Sequence, residues 1–237
     1  ASENEDEDAM LRYSKGFTRL DKEMVQEAKK LISAMGLPVI QAPSEAEAQA
    51  SYMCKKKSVW AVASTDYDCL LFQSPRMLIN LTLSQKRKTS SGAYKEVYPQ
   101  VIELSEVMNS LQIDHNQLLV LGIMVGTDYN PGGIKGIGPK KALKLIQTDK
   151  QFDVIFKELE ADFDWKEIFD TFRNIPVTDD YDLEMKEPDA DKIKEILVEE
   201  HDFSQDRVDS MIEKMSEKPK EAKKDKAQTG LDAWIKK

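Results

Sequence analysis

Apolar residues fall into two regimes along the chain. Met24, Ala28, Leu31 and Met35 recur at three- and four-residue steps, which predicts a helix over 10–35 ended by Gly36. Leu37-Pro38-Val39-Ile40 then reads as a short buried strand, and Ser44 opens a helix to about Lys56. Val59-Trp60-Ala61-Val62-Ala63 reads as a second strand, followed by a turn into Tyr67-Asp68-Cys69-Leu70-Leu71-Phe72. That quick alternation predicts an α/β fold with a partial open sheet of parallel strands. Met77–Leu81 and Tyr94–Tyr98 read as further strands, with the polar stretch between them, including Lys86-Arg87-Lys88, as a loop. Past Ser105 the pattern is helical: 115–126, 139–147, 152–159, 165–172, 191–199 and 206–215. The expected organisation is an acidic disordered start (1–8), a main body (9–217), a charged linker (218–227) and a terminal peptide (228–237).

Composition narrows the class. The 237 residues carry 34 Lys+Arg against 43 Asp+Glu, a net charge of −9. No run of about 18 apolar residues exists, so a transmembrane helix is not expected. Two cysteines, Cys54 and Cys69, cannot make a disulfide framework and suit a reducing compartment. Two isolated histidines do not make a zinc site. The acidic balance argues weakly against nucleic acid, but Lys55-Lys56-Lys57, Lys86-Arg87-Lys88 and Lys135–Lys144 are clustered, and clusters matter more than totals for phosphate contact. Arg12, Lys15, Arg19 and Lys22 also share a helical stripe, which by itself reads as a solvated face.

Five acids carry the chemistry. Ser44-Glu45-Ala46-Glu47 reads locally as a capping box, and Thr65-Asp66-Tyr67-Asp68 as a second capped helix start. Both pairs follow the carboxyl ends of predicted strands, the edge where open α/β sheets bind ligands. Acids gathered there raise one another's pKa, and divalent cations relieve the repulsion; an all-oxygen donor set suits Mg²⁺ or Mn²⁺. Asp128, just past an apolar helix, reads equally as a fifth member or as an Asx-turn into Asn130-Pro131-Gly132-Gly133.

Two further motifs stand apart. Ile134-Lys135-Gly136-Ile137-Gly138-Pro139-Lys140-Lys141-Ala142 has the form of a helix-hairpin-helix (about 118–147). Its glycines and helix N-terminus offer N–H groups to phosphate, with Lys135, Lys140, Lys141 and Lys144 adding charge. At the chain end, Gln228, Leu231, Trp234 and Ile235 place apolar groups on one helical turn, suited either to a partner's groove or to docking on its own domain.

Together these words resemble the flap endonuclease family, the structure-specific 5′ nucleases. The matching words are Ala42-Pro43-Ser44-Glu45-Ala46-Glu47-Ala48-Gln49, Thr65-Asp66-Tyr67-Asp68-Cys69, Gly126-Thr127-Asp128-Tyr129 and Gly136-Ile137-Gly138-Pro139-Lys140. The resemblance, closest to archaeal members, runs from about Arg12 to the last residue. It implies two divalent metals, Mg²⁺ with Mn²⁺ able to substitute, that hydrolyse a phosphodiester. Asp66 and Asp68 would ligate one and Glu47 would help hold the other, with Glu45 and Asp128 acting through water. It further implies 5′-flap DNA as substrate, a role in replication and repair, and the hairpin (Lys135, Gly136, Ile137, Gly138, Lys140, Lys141) as the duplex grip. The terminal peptide is similar to the family's sliding-clamp (PCNA) motif, although Ile235 stands where a second aromatic is usual. An intracellular setting follows, cytoplasmic (nucleoid) in an archaeon and nuclear in a eukaryote, with no membrane partner. Family members begin with a further segment of roughly a hundred residues bearing two more metal-binding aspartates. The chain therefore reads as a C-terminal portion that needs that segment, as a separate chain, for full activity. A rival reading is a non-catalytic, DNA-binding, clamp-tethering subunit whose acids are helix caps.

Overall fold

A computed structural model describes residues 20–81, 86–89 and 92–216. Along the chain its elements are helix α1 (Lys22–Ala34), α2 (Ala46–Lys55), strand β1 (Val62–Ala63), the single turn α3 (Asp68–Leu71), β2 (Arg76–Ile79), β3 (Lys86–Lys88), β4 (Tyr94–Glu96) and β5 (Gln100–Glu103). The helices α4 (Leu104–Leu111), α5 (His115–Val125), α6 (Pro139–Thr148), α7 (Phe152–Glu158), α8 (Trp165–Asn174) and α9 (Ala190–Lys194) follow. A π-helical turn (Glu195–Glu200) and α10 (Gln205–Ser216) close the series. The described residues divide into two compact units, one of 20–40 with 180–216 and one of 41–179.

In the first unit Asp21 caps α1 by accepting from Met24 N (2.8 Å). Ala34, Ile193 and Val208 are buried together, with Leu31, Met35, Leu197 and Met211 packed against them. Gly36 ends α1 with φ +78°, and a Cβ there would run into the Lys186 backbone. That approach lets Lys186 N donate to Gly36 O and Asp189 N to Ala34 O, both at 2.8 Å, so a strap crosses the helix end. The segment 37–40, expected as a strand, joins no ladder among the described residues. Pro38 has no N–H to give one, and Leu37 and Val39 are each 38% exposed rather than buried. The expected helix over 10–35 is described only from Lys22; Arg12, Lys15 and Arg19 lie outside the described residues.

The second unit holds the sheet and the main core. Its strand order is β1-β2-β5, with β1 parallel to β2 and β5 antiparallel to it (Arg76 opposite Glu103, Ile79 opposite Gln100). The fold is α/β as expected, but the sheet is mixed rather than all parallel, and β5 follows from pairing with β2 rather than from an apolar pattern of its own. Lys86–Lys88, expected as a loop, is a strand pairing antiparallel with Tyr94–Glu96. Thr89 N donates to Ala93 O across the turn, and Gly92 supplies a φ of +85°. Because the ribbon is polar on both faces, it shows no alternation in the sequence.

Helix α5 is the centre of this unit. Leu118, Leu119, Val120, Ile123 and Met124 are buried on nearly all sides, which is why its sequence is apolar all round. Asp114 and Gln117 close a full capping box at its start, and Gln117 Nε2 also donates to Ile146 O (2.5 Å), pinning α5 to α6.

Candidate metal and phosphodiester site

Four of the five acids sit at the starts of α2 and α3. Helix α2 begins one residue later than the sequence suggested: Glu45, not Ser44, is the N-cap, and no side chain caps it, so the Ser44–Glu47 capping box does not form. Glu47 is left free for the cleft. Helix α2 is fixed instead by two buried polar side chains. Gln49 donates to Thr178 O (2.9 Å) and accepts from Thr178 N (2.8 Å), and Ser51 Oγ donates to Cys69 O (3.2 Å). After β1, Ser64 Oγ accepts from Asp66 N and Asp66 Oδ1 accepts from Asp68 N (2.9 Å), so Asp66 shapes the turn and Thr65 does not cap it.

Asp128 lies on the loop leaving α5, and neighbouring residues hold that loop. Asn130 accepts from Thr127 N and Thr127 Oγ1 (2.7 Å) and donates to Ile123 O (2.7 Å), all buried. Gly133 folds back at φ +56° against the carbonyl end of α5, where a Cβ would strike Met124 O and Val125, and Ile134 N donates to Met124 O (2.9 Å). Asn130 rather than Asp128 therefore makes the turn, and the Asp128 carboxylate faces the other acids.

Glu45, Glu47, Asp66, Asp68 and Asp128 line one cleft together with Phe72 and Tyr129. Its innermost space, about 20 Å³, suits a water-sized guest. Burial first, then the charges of Asp66, Asp128, Glu47 and Glu45, push the Asp68 carboxyl up from 3.8 to about 6. Tyr129 Oη lies 3.5 Å from Glu45 Oε1, and its ring meets Phe172 edge-on (5.2 Å between centroids). Burial, followed by Glu45's charge, raises the Tyr129 hydroxyl's pKa. Neither Tyr129 nor Phe72 was singled out from the sequence; the aromatic beside Asp128 in Gly126-Thr127-Asp128-Tyr129 was the available signal. Among the described residues, no three His, Cys, Asp or Glu side chains converge tightly enough to cage an ion as they stand. Mutual repulsion spreads such carboxylates on a fixed backbone. The donor set itself, all hard anionic oxygens with Glu47 and Asp68 half-buried and Glu45, Asp66 and Asp128 exposed, fits Mg²⁺ or Mn²⁺ and not a thiol- or imidazole-seeking metal.

A tight hairpin joins α5 to α6. Ile134 and Ile137 are buried and anchor it. Gly136 has φ +80° with open space around it, Gly138 caps α6 without a side-chain bond, and Pro139 takes the first helical position. Lys135, Lys140, Lys141 and Lys144 are exposed, and among the described residues none of them is ion-paired. The Lys55–Lys57 cluster differs: Lys55 bonds Gln73 (2.6 Å) and Lys56 pairs with Asp179 (3.6 Å). Gln228, Leu231, Trp234 and Ile235 lie outside the described residues. No helix among the described residues is long and apolar enough to cross a membrane.

Known proteins resemble this chain over most of its length. Residues 36–128 match the XPG I-region family. Flap endonuclease 1 of Staphylothermus marinus is 48% identical over 234 residues, covering 97% of this chain and 67% of that protein. Its counterpart from Thermococcus onnurineus is 46% identical over 237 residues, covering 99% and 68%. The solved flap endonuclease-1 of Methanococcus jannaschii superposes with a TM-score of 0.74 at 42% identity, covering 91% of this chain and 64% of that one. The catalytic core of Rad2 in complex with a DNA substrate shares the fold (TM-score 0.65, 20% identity, 83% and 71% covered). The chain thus spans about two thirds of the length of the relatives it matches, and with nearly half its residues shared along almost all of its own length, it belongs to the flap endonuclease family.

Proposed function

We propose that this chain carries the carboxylate centre and the duplex grip of a metal-dependent 5′-flap endonuclease acting on branched DNA in replication and repair. The observation that carries the reading is the convergence of five acids, from three separate stretches of sequence, on one cleft. Nucleases of this family are metal-dependent, and two divalent cations, Mg²⁺ or Mn²⁺, would supply Lewis acidity for phosphodiester hydrolysis. Asp66, Asp68 and Glu47 would hold them, with Glu45 and Asp128 supporting from outside. Tyr129 steadies Glu45. The hairpin of Lys135, Gly136, Gly138, Lys140 and Lys141 holds the duplex backbone without reading bases, so sequence preference is slight. Hydrolysis breaks the bond from phosphorus to the 3′ oxygen, leaving a 3′-hydroxyl and a 5′-phosphate. The terminal peptide 228–237 tethers the enzyme to a sliding clamp, and the setting is intracellular.

Because the chain spans about two thirds of its relatives' length, full activity is assigned to it together with the remaining segment, which contributes further metal ligands. The test mixes this chain, that segment, Mg²⁺ and a 5′-flap substrate. Cleavage by the mixture, lost in Asp68→Ala with DNA binding kept, is expected. Cleavage that survives Asp68→Ala overturns the reading in favour of a DNA-binding, clamp-tethering subunit whose acids are caps.

A further inference from the structure

The single turn α3 carries Asp68, yet four residues are far too few for a helix to hold itself. The partners of its carbonyls show what holds it. Asp68 O accepts from Phe72 N (2.9 Å), Cys69 O from Ser74 N (2.9 Å) and Leu70 O from Gln73 N (3.1 Å), all within the local chain. Two more donors come from elsewhere. Ser51 Oγ on α2, fully buried, reaches Cys69 O at 3.2 Å. His115 Nε2, on the first residue of α5, reaches Leu70 O at 3.1 Å. A carbonyl can only accept, so this nitrogen carries the proton, and the other, Nδ1, is a buried acceptor without a partner among the described residues. A buried unpaired nitrogen is unfavourable, and an apolar side chain of similar size would avoid it. What the imidazole adds is its one N–H. Leu71 closes the seat: it packs on Gly122 of α5 so closely that a Cβ there would meet its Cδ1 at 2.9 Å.

We propose that Ser51 and His115 are positioning residues for the metal-binding acids, holding two consecutive carbonyls of α3 and so fixing Asp68 relative to Glu47 on α2. The inference rests on the reading of the cleft as an ion site. Ser51 joins the two helices that carry Glu47 and Asp68, while His115 ties α3 to the buried helix whose far end leads to Asp128. Burial, the largest influence, lowers the His115 pKa and so favours the neutral ring, and the contact with Leu70 O places the proton on Nε2.

The test is Mn²⁺ affinity of the full chain, measured by the electron-spin signal of the free ion, alongside the melting temperature. Groups bonded directly to a ligand typically contribute 10–100-fold in metal affinity, and these two, which act through the backbone one and two residues beyond Asp68, belong at the low end. Ser51→Ala leaves Cys69 O still accepting from Ser74, so it strands no group, and His115→Leu removes the second donor. Each is expected to weaken Mn²⁺ binding about tenfold, with His115→Gln, whose amide can donate to Leu70 O, recovering most of the loss. Asp68→Asn is the control and should abolish binding. Wild-type affinity in Ser51→Ala and His115→Leu, with binding abolished in Asp68→Asn, overturns the positioning role and leaves the ion site standing. Unchanged binding in Asp68→Asn, or none by the unaltered chain, overturns both. Failure of His115→Gln to recover affinity assigns the loss to packing and overturns the His115 part. Ser51→Ala carries the test if His115→Leu does not fold.

Discussion

Asp68 provides the sharpest test of the cleft's electrostatics, because it should make the metal-free chain less stable. Its carboxyl is raised from 3.8 to about 6, chiefly by burial and then by Asp66, Asp128, Glu47 and Glu45. Below pH 3.8 the group is protonated folded or unfolded and contributes nothing. Between pH 3.8 and about 6 the unfolded chain releases the proton while the folded chain keeps it. Stability therefore falls as pH rises through that window and stays lowered above it. The full shift corresponds to about 3 kcal/mol at 1.36 kcal/mol per unit. Asp68 is half-buried, so solvent screening reduces this to about 1–1.5 kcal/mol. A carboxylate in a first helical turn gains about 0.3–1 kcal/mol from the helix dipole, at the low end for a single turn, so the penalty prevails.

The perturbation is Asp68→Asn, which keeps the shape and removes the charge. In EDTA at pH 7.5 it should stabilise the chain by about 1 kcal/mol and raise the melting temperature by about 2–4 °C. The gain should shrink through the window and vanish by about pH 3.5. Saturating Mg²⁺ should reverse the order, since binding stabilises the unaltered chain. Urea unfolding of both proteins at half-unit pH steps measures this. An Asn variant equally or less stable at pH 7.5, or a difference that ignores pH, refutes the claim that these acids repel one another across one cleft.

Other consequences are equally concrete. Asn130→Ala strands Thr127 N and Ile123 O, so urea unfolding should show a loss of about 2–3 kcal/mol, with weakened Mn²⁺ binding as Asp128 drifts. Gly133→Ala forces a Cβ into the carbonyl end of α5 at φ +56° and should cost about 2 kcal/mol or more by the same measurement. Lys140→Ala and Lys141→Ala should each lower the magnitude of the salt slope of duplex binding by about one, uniformly across sequences; a sequence-dependent loss contradicts a backbone grip. Leu231→Ala with Trp234→Ala should abolish sliding-clamp binding and leave clamp-free cleavage by the assembled enzyme unchanged.

The parts legible in the sequence were those with local causes. The apolar run Leu118–Met124 sits in a stretch of eleven residues between Asp114 and Gly126, long enough to read as a buried helix, and Gly136-Ile137-Gly138-Pro139 writes its turn and its helix start in neighbouring letters. The acids were legible as types, yet Ser44 and Glu47 pointed to a cap that does not form. One of the two side chains that fix α2 is Gln49, bonded to Thr178, 129 residues away. Ser51, His115 and Gln117 act in the same manner, each reaching a distant backbone group. One buried polar residue bonding a remote carbonyl leaves no periodicity to read. Strands β3 and β5 were missed for a related reason: each is defined by its partner's register rather than by its own pattern.

Those remote bonds account for how the cleft can exist without a counter-charge. No Lys or Arg lines it among the described residues; an adjacent guanidinium would have lowered the Asp68 pKa instead of leaving it raised. The fold holds the acids through neutral donors, Ser51, Gln49, Asn130 and His115, which restrain the backbone beneath them and add no positive charge. A basic residue in the cleft would offset the acids' mutual repulsion. The unbalanced charge keeps the Asp68 carboxyl raised, and a divalent cation bound as proposed would gain what the acids lose by repelling one another.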